Sequence, residues 1–142
     1  MKVMIDTNLV LDLLLNREPF IKGAVKVFEY AEKGQIEAYI TANSVTDLVY
    51  ILRKAYSMEE IKVELQKIFG FIKVLSVTAG DINGALNLNV NDFEDALVMQ
   101  CSKNAGMDAI VTRNKKDFRN SPVECFTVEE WISMHSTACR AE

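Results

Sequence analysis

The segment Lys2-Val3-Met4-Ile5-Asp6-Thr7-Asn8, continued by Leu9-Val10-Leu11-Asp12-Leu13-Leu14-Leu15, decides the fold. Lys2 to Ile5 is too short for a helix and apolar enough for a buried strand. Asp6 ends that run, and from Asn8 to about Leu15 the sequence reads as a helix. A strand that passes straight into a helix opens a β-α unit, and the unit recurs down the chain.

After a break at Asn16-Arg17-Glu18-Pro19, a helix runs from about Pro19 to Lys33. Phe20, Ala24, Val27, Phe28 and Ala31 keep helical spacing along it, and Gly34 stops it. Ile36–Thr41 is a second strand. Asn43 or Ser44 caps a helix to about Tyr56, and Ser57 caps another from Met58 to about Phe69. Ile72–Val77 is a third strand, and Thr78 to about Leu88 a helix weakened by Gly80 and Gly84. Asp92-Phe93-Glu94-Asp95 opens a helix to about Ala105, closed by Gly106. Ala109–Thr112 and Val123–Phe126 are the fourth and fifth strands, and Thr127 caps a last helix from Val128 to about His135. Strands separated by helices pair in parallel through crossovers. The expectation is an α/β fold: a three-layer α/β/α sandwich on a five-stranded, mainly parallel sheet. Residues 1–135 form one domain and 136–142 a frayed C-terminal tail.

Composition narrows the chemistry. With 142 residues and 49% hydrophobic content the chain suits a single core and not a disordered segment. The best apolar run, Leu9–Leu15, is short and broken by Asp12, so no membrane span is expected, and Asp6 comes too early for a signal-peptide core. The one histidine, His135, lies near the C-terminus and reads as a surface residue, which excludes a His-His nuclease and disfavours a Ser-His-Asp triad. Cys101, Cys125 and Cys139 include no Cys-x-x-Cys pair, which argues against structural zinc and for a reducing, cytoplasmic setting. Catalysis is left to carboxylates, hydroxyls or a metal. Met58, Met99, Met107 and Met134 read as core filler.

In sheets of this kind ligands bind beyond the carboxyl ends of the strands. Asp6 stands at such an end, with helix capping as its plainer role. Asp47, early in the helix after the second strand, shares a stripe with Tyr50 and Ile51; it either complements the helix dipole or faces the cleft. Asp92 has an adequate role as N-cap, but Asp95 shares a face with Val98 and Met99, where a carboxylate needs a partner such as a metal ion. Asp117 follows the fourth strand as turn acid or site acid, among Arg113, Lys115, Lys116 and Arg119. That basic loop beside an acid cluster suits a phosphate-bearing substrate, with Arg113, Lys115 and Lys116 on the phosphate side. Asp12, Glu29, Glu32, Glu59, Glu60 and Glu64 read as solvated helix faces.

Taken in order, Val3-Met4-Ile5-Asp6-Thr7-Asn8, Thr46-Asp47-Leu48, Asp92-Phe93-Glu94-Asp95-Ala96-Leu97 and Ile110-Val111-Thr112-Arg113-Asn114-Lys115-Lys116-Asp117-Phe118 resemble the PIN-domain family of metal-dependent nucleases, particularly VapC-like toxins. The resemblance covers residues 2 to about 132. It implies strand order 3-2-1-4-5 and hydrolysis of RNA to 5′-phosphate and 3′-hydroxyl ends. One or two Mg2+ or Mn2+ ions would be held by Asp6, Asp95 and Asp47, the last standing where the family usually has glutamate. The fourth family position falls at Asn114 or Asp117, with Asn8 and Thr112 in support. It further implies a small antitoxin partner, against the helices around Leu9–Leu15, Phe20–Phe28 and Val45–Leu52, and a homodimer. A PIN-like module that binds RNA or protein without cutting is the alternative. A receiver or haloacid-dehalogenase phosphotransfer domain fits poorly, since Asp6-Thr7-Asn8 lacks the second acid those types place there.

Overall fold

The computed structural model describes residues 1–141, and side chains as far as Ser136. β1 (Lys2–Ile5) leads into α1 (Thr7–Leu14) and α2 (Ile21–Glu32), and β2 (Glu37–Thr41) into α3 (Ala42–Leu52) and α4 (Met58–Ile68). β3 (Ile72–Leu75) precedes α5 (Ala79–Leu86) and α6 (Phe93–Asn104). β4 (Ala109–Thr112), a 3-10 turn (Lys115–Phe118), β5 (Cys125–Thr127) and α7 (Val128–Ala141) complete the chain. All strand pairs are parallel, and the order is β3-β2-β1-β4-β5, as the family resemblance implied.

β1 is central because it is apolar on both faces. Val3 and Ile5 belong to the larger core with α1, α2, α3, α4 and α7, while Met4 packs on the opposite face with Met99, Met107 and Ile110. Chain order reverses at β1, since β2 lies on one side of it and β4 on the other, so the crevice above the ends of β1 and β4 is the natural ligand position.

Local signals placed most helix ends. Ser57 and Glu60 form a reciprocal capping box, as do Thr78 and Asp81, and Asp92 accepts a hydrogen bond from the Asp95 amide at 3.0 Å. Gly34 and Gly106 take positive φ beyond α2 and α6, the left-handed stop that glycine permits. Other expectations are corrected. α3 begins at Ala42 with Thr41 as its N-cap residue by backbone position, not Asn43 or Ser44, and the Thr41 and Ser44 hydroxyls bond each other at 2.7 Å. It ends at Leu52, since the next cap at Ser57 starts a new axis. β3 stops at Leu75 and β5 lies two residues later than expected at its start.

α7 continues past His135 to Ala141. His135 therefore sits on a helix, not on a free surface: its ring stacks on buried Trp131, with centroids 3.9 Å apart. The segment expected to fray is thus helical as far as Ala141, while Glu142 and the side chains of 137–142, including Cys139, lie outside the described residues. Met99 and Met107 are core residues, whereas Met58 and Met134 are exposed. Among the described residues no helix is long and apolar enough to cross a membrane.

Candidate functional site

Asp6 leaves β1 where its backbone amide still bonds the Val111 carbonyl at 3.0 Å, so the sheet itself fixes the carboxylate above β1 and β4. The Thr112 hydroxyl, fully buried at the end of β4, donates to Asp6 Oδ2 at 2.8 Å and accepts from the Asn114 amide at 3.0 Å. Asp6 caps α1 by backbone position alone, with no side-chain cap bond. Its carboxylate is engaged by Thr112 and lines the cavity. Burial raises its pKa, against the opposing pull of Thr112, Asn8 and the Arg113 charge.

A cavity of about 350 Å³ opens there, lined by Asp6, Asn8, Asn43, Asp47, Glu94 and Asp95 together with Tyr50 and apolar neighbours from α1, α3 and α6. The fold thus brings three of the expected acids to one place and adds a fourth, Glu94, that sequence reading passed over. Glu94 faces Asp47 across the cavity closely enough that the Asp47 charge is the main cause of its raised pKa. Its signal was available: an acid directly before Asp95 in the first turn of the same helix. Asp95 is pushed up to about 6, first by burial and then by the charges of Asp92, Asp6, Asp117 and Glu94.

Asp117 stands elsewhere. It is exposed on the 3-10 turn and lines a neighbouring cleft with Asp92, Lys116 and Arg119 that meets the first cavity at Asp95. Asn114 precedes that turn and contributes its amide to Thr112. Neither candidate for the fourth acidic position lines the cavity of Asp6.

Two residues expected on the phosphate side are engaged by carboxylates instead. Arg113 Nε lies 2.9 Å from Asp12 Oδ2, with its guanidinium over the Phe20 ring at 3.9 Å, and Lys115 Nζ bonds Glu130 at 2.9 Å. Asp12, read as solvated, is 1% exposed. α1 is buried at Leu9, Val10 and Leu11 in succession, so it has no solvated face there on which to place an acid.

A sequence profile described as PIN domain matches residues 2–116. The chain belongs to the PIN domain family. No curated protein gives a significant match. Among solved structures, this PIN domain is similar to a chain of VapBC2 from Rickettsia felis bound to a promoter DNA fragment, with 18% identity and a TM-score of 0.71. That match covers 89% of this chain and 98% of the other. DNA-bound VapBC from Salmonella typhimurium gives 16% identity and a TM-score of 0.68, with 90% and 98% covered. A toxin-antitoxin complex from Klebsiella pneumoniae gives 15% and 0.67, with 89% and 97% covered. At these identities the likeness is one of fold.

PIN domains are generally nucleases that use divalent metal ions. The donor chemistry of this PIN domain fits such an ion: all the polar groups are hard oxygen or amide donors, and no lysine or arginine lines the cavity. Asn43 Oδ1 is buried without a hydrogen-bond partner among the described residues. The cage is not preassembled, however. Among the described residues no three His, Cys, Asp or Glu side chains already stand close enough to hold a metal.

Proposed function

We propose that this PIN domain is a divalent-metal-dependent endoribonuclease and the cytoplasmic toxin of a toxin–antitoxin pair. The carrying observation is the set of four carboxylates, Asp6, Asp47, Glu94 and Asp95, drawn from three elements to one cavity that no cationic side chain lines. Four anions on one small cavity are costly unless a cation joins them. Asp6, Asp95 and Asp47 would hold one or two Mg2+ or Mn2+ ions. Glu94 would offer a longer arm where Asp47 is one methylene short of the family's glutamate.

The bound ion would supply Lewis acidity to the scissile phosphodiester and to the attacking water. The chain's own part is orientation. Thr112 fixes Asp6 Oδ2, and the sheet bond to Val111 fixes the backbone beneath it. Water oxygen bonds to phosphorus as the bond to O3′ breaks, and the proton ends on the 3′ oxygen. Products are a 5′-phosphate and a 3′-hydroxyl. No histidine is needed.

An RNA panel incubated with Mg2+ or Mn2+, and again with EDTA, tests this. Cleavage should require the metal and disappear in Asp6→Asn. Cleavage that survives chelation, or persists in Asp6→Asn, overturns the mechanism. Asp47, one methylene short of glutamate, supports a second reading, a module that binds RNA without cutting, and intact but retained RNA would select it.

The antitoxin reading has a surface. Leu13, Leu14, Leu52, Tyr56, Ile61 and Phe71 line a recess of about 700 Å³ beside α1, α3 and α4, with Glu59 and Glu60, and a Glu64–Lys67 ion pair, also in its lining. An amphipathic basic segment matches that combination. The same reading includes a homodimer, which light scattering on the purified protein would register.

A further inference from the structure

The ribonuclease reading leaves open how a polyanion approaches a cavity of carboxylates, and the clefts around Asp95 supply a route. Asp95 is common to the acid cavity and the neighbouring cleft of about 350 Å³. Lys116 and Arg119 are common to that cleft and to a third recess of about 510 Å³ under the far side of the 3-10 turn. The three depressions therefore form one series, joined first at Asp95 and then at the Lys116–Arg119 pair.

Charge changes sign along the series. The first cavity holds Asp6, Asp47, Glu94 and Asp95 and no cation. The middle cleft mixes Asp92, Asp95 and Asp117 with Lys116 and Arg119. The outer recess holds Lys115, Lys116 and Arg119 against Glu124 alone. Lys115 is already paired with Glu130, and Arg113 is withdrawn to Asp12. Lys116 and Arg119 are exposed, and among the described residues neither has an ion-pair partner.

The cleft is also built, not merely open. Arg119 Nε donates to the Lys116 carbonyl at 3.1 Å, which anchors the guanidinium on the turn. Asn120 Nδ2 donates to the Asn89 carbonyl at 2.8 Å, tying the loop after the turn to the loop before α6. These two loops form opposite walls.

We propose that Lys116 and Arg119 bind backbone phosphates of single-stranded RNA on one side of the scissile bond, seating the strand on a track from the acid cavity past Asp95 and along the 3-10 turn. The inference rests on the ribonuclease reading. It predicts a one-sided footprint, because the lysines and arginines that line the three depressions all lie beyond Asp95. Asp117, beside that path, repels phosphate and keeps the strand toward the two cations.

The test is binding of a fluorescent single-stranded RNA oligonucleotide in EDTA across a salt series, followed by cleavage kinetics with metal. Lys116→Ala/Arg119→Ala should weaken binding about tenfold and reduce the slope of log affinity against log salt by about 0.7 per residue. Lys22→Ala/Lys26→Ala, an equal charge loss on α2, should do neither. With metal, KM should rise while kcat stays within about threefold, and Arg119→Lys should restore part of the affinity. Extending the RNA on one side of the cleaved bond should lower KM, extension on the other should not, and the double variant should lose the gain. If wild-type protein cuts RNA but the two double variants bind alike, the track is wrong and the ribonuclease reading stands. If wild-type protein neither cuts nor binds RNA, both fall.

Discussion

Arg113, in the loop after β4, reaches back to Asp12 on α1 and meets it at 2.9 Å in a site where the carboxylate is 1% exposed. The contact lacks the alignment of a hydrogen bond, so it is an ion pair held by packing. Phe20 supports the guanidinium from one side, and Arg17 stands 3.9 Å from the other carboxylate oxygen. Burial still raises the Asp12 pKa against both arginines. The pair ties the loop that carries Asn114 to the helix that Asp6 begins.

Removing one partner strands the other. Arg113→Met should cost about 3 kcal/mol, because Asp12 is left buried with only a distant cation. Adding Asp12→Leu should recover most of the loss, and Arg113→Lys should not, since lysine lacks the planar face that lies on Phe20. Urea denaturation at neutral pH measures all three, and a single Arg113→Met within 0.5 kcal/mol of wild type would contradict the account.

Asp95 should carry a pH signature in metal-free protein. Its folded pKa of about 6 lies above the ordinary 3.8, so the native state holds a proton that the unfolded state releases between those values. The group's contribution to stability is greatest below that window and is lost as pH rises through 6. Asp95→Asn should therefore raise the melting temperature by about 3 °C at pH 8, even after some loss of favourable helix-dipole interaction. The advantage should vanish near pH 4. A lower melting temperature at pH 8 would mean the carboxylate serves the start of α6 more than it strains the cavity.

Thr112 separates orientation from stability. Thr112→Val keeps the volume but removes the donor to Asp6 Oδ2 and the acceptor for the Asn114 amide. We expect kcat for RNA cleavage to fall about tenfold with KM little changed, and Thr112→Ser to restore it. Equal losses in kcat from both variants would argue against the hydroxyl.

Close packing of α5 on α6 predicts a different outcome at Gly84. A Cβ there would stand 2.5 Å from Gln100 Cδ. Gly84→Ala should destabilise by about 2 kcal/mol in thermal or urea unfolding, and Gln100→Ala in the same chain should recover part of it. This glycine weakens the helix locally, as its sequence suggested, but packing requires it.

The local code carried the order of elements, since strand length, apolar spacing and capping residues are properties of neighbours in the chain. Asp92 as N-cap, Ser57 at the start of α4 and Gly34 after α2 needed only a few flanking residues to be read. Asp6 at a strand end was legible for the same reason. Even Asp12 left a trace, because Leu9-Val10-Leu11 and Leu13-Leu14-Leu15 on either side of it leave no polar face.

Partners from distant segments were not legible. Nothing near Asp12 announces Arg113, nothing near Lys115 announces Glu130, and the basic loop looks uniformly available until the fold commits two of its charges. His135 likewise looked like an exposed tail residue until α7 continued past it and laid it on Trp131. The sequence by itself determined an alternating parallel α/β chain and singled out Asp6, Asp47 and Asp95, which the fold brings to one cavity. Tertiary structure decided that Glu94 joins them, that Asp117 stands apart on the next cleft, and which cations of the basic loop pair with carboxylates among the described residues. Ion pairing and burial act through space, and only the closed sheet brings those groups within range of one another.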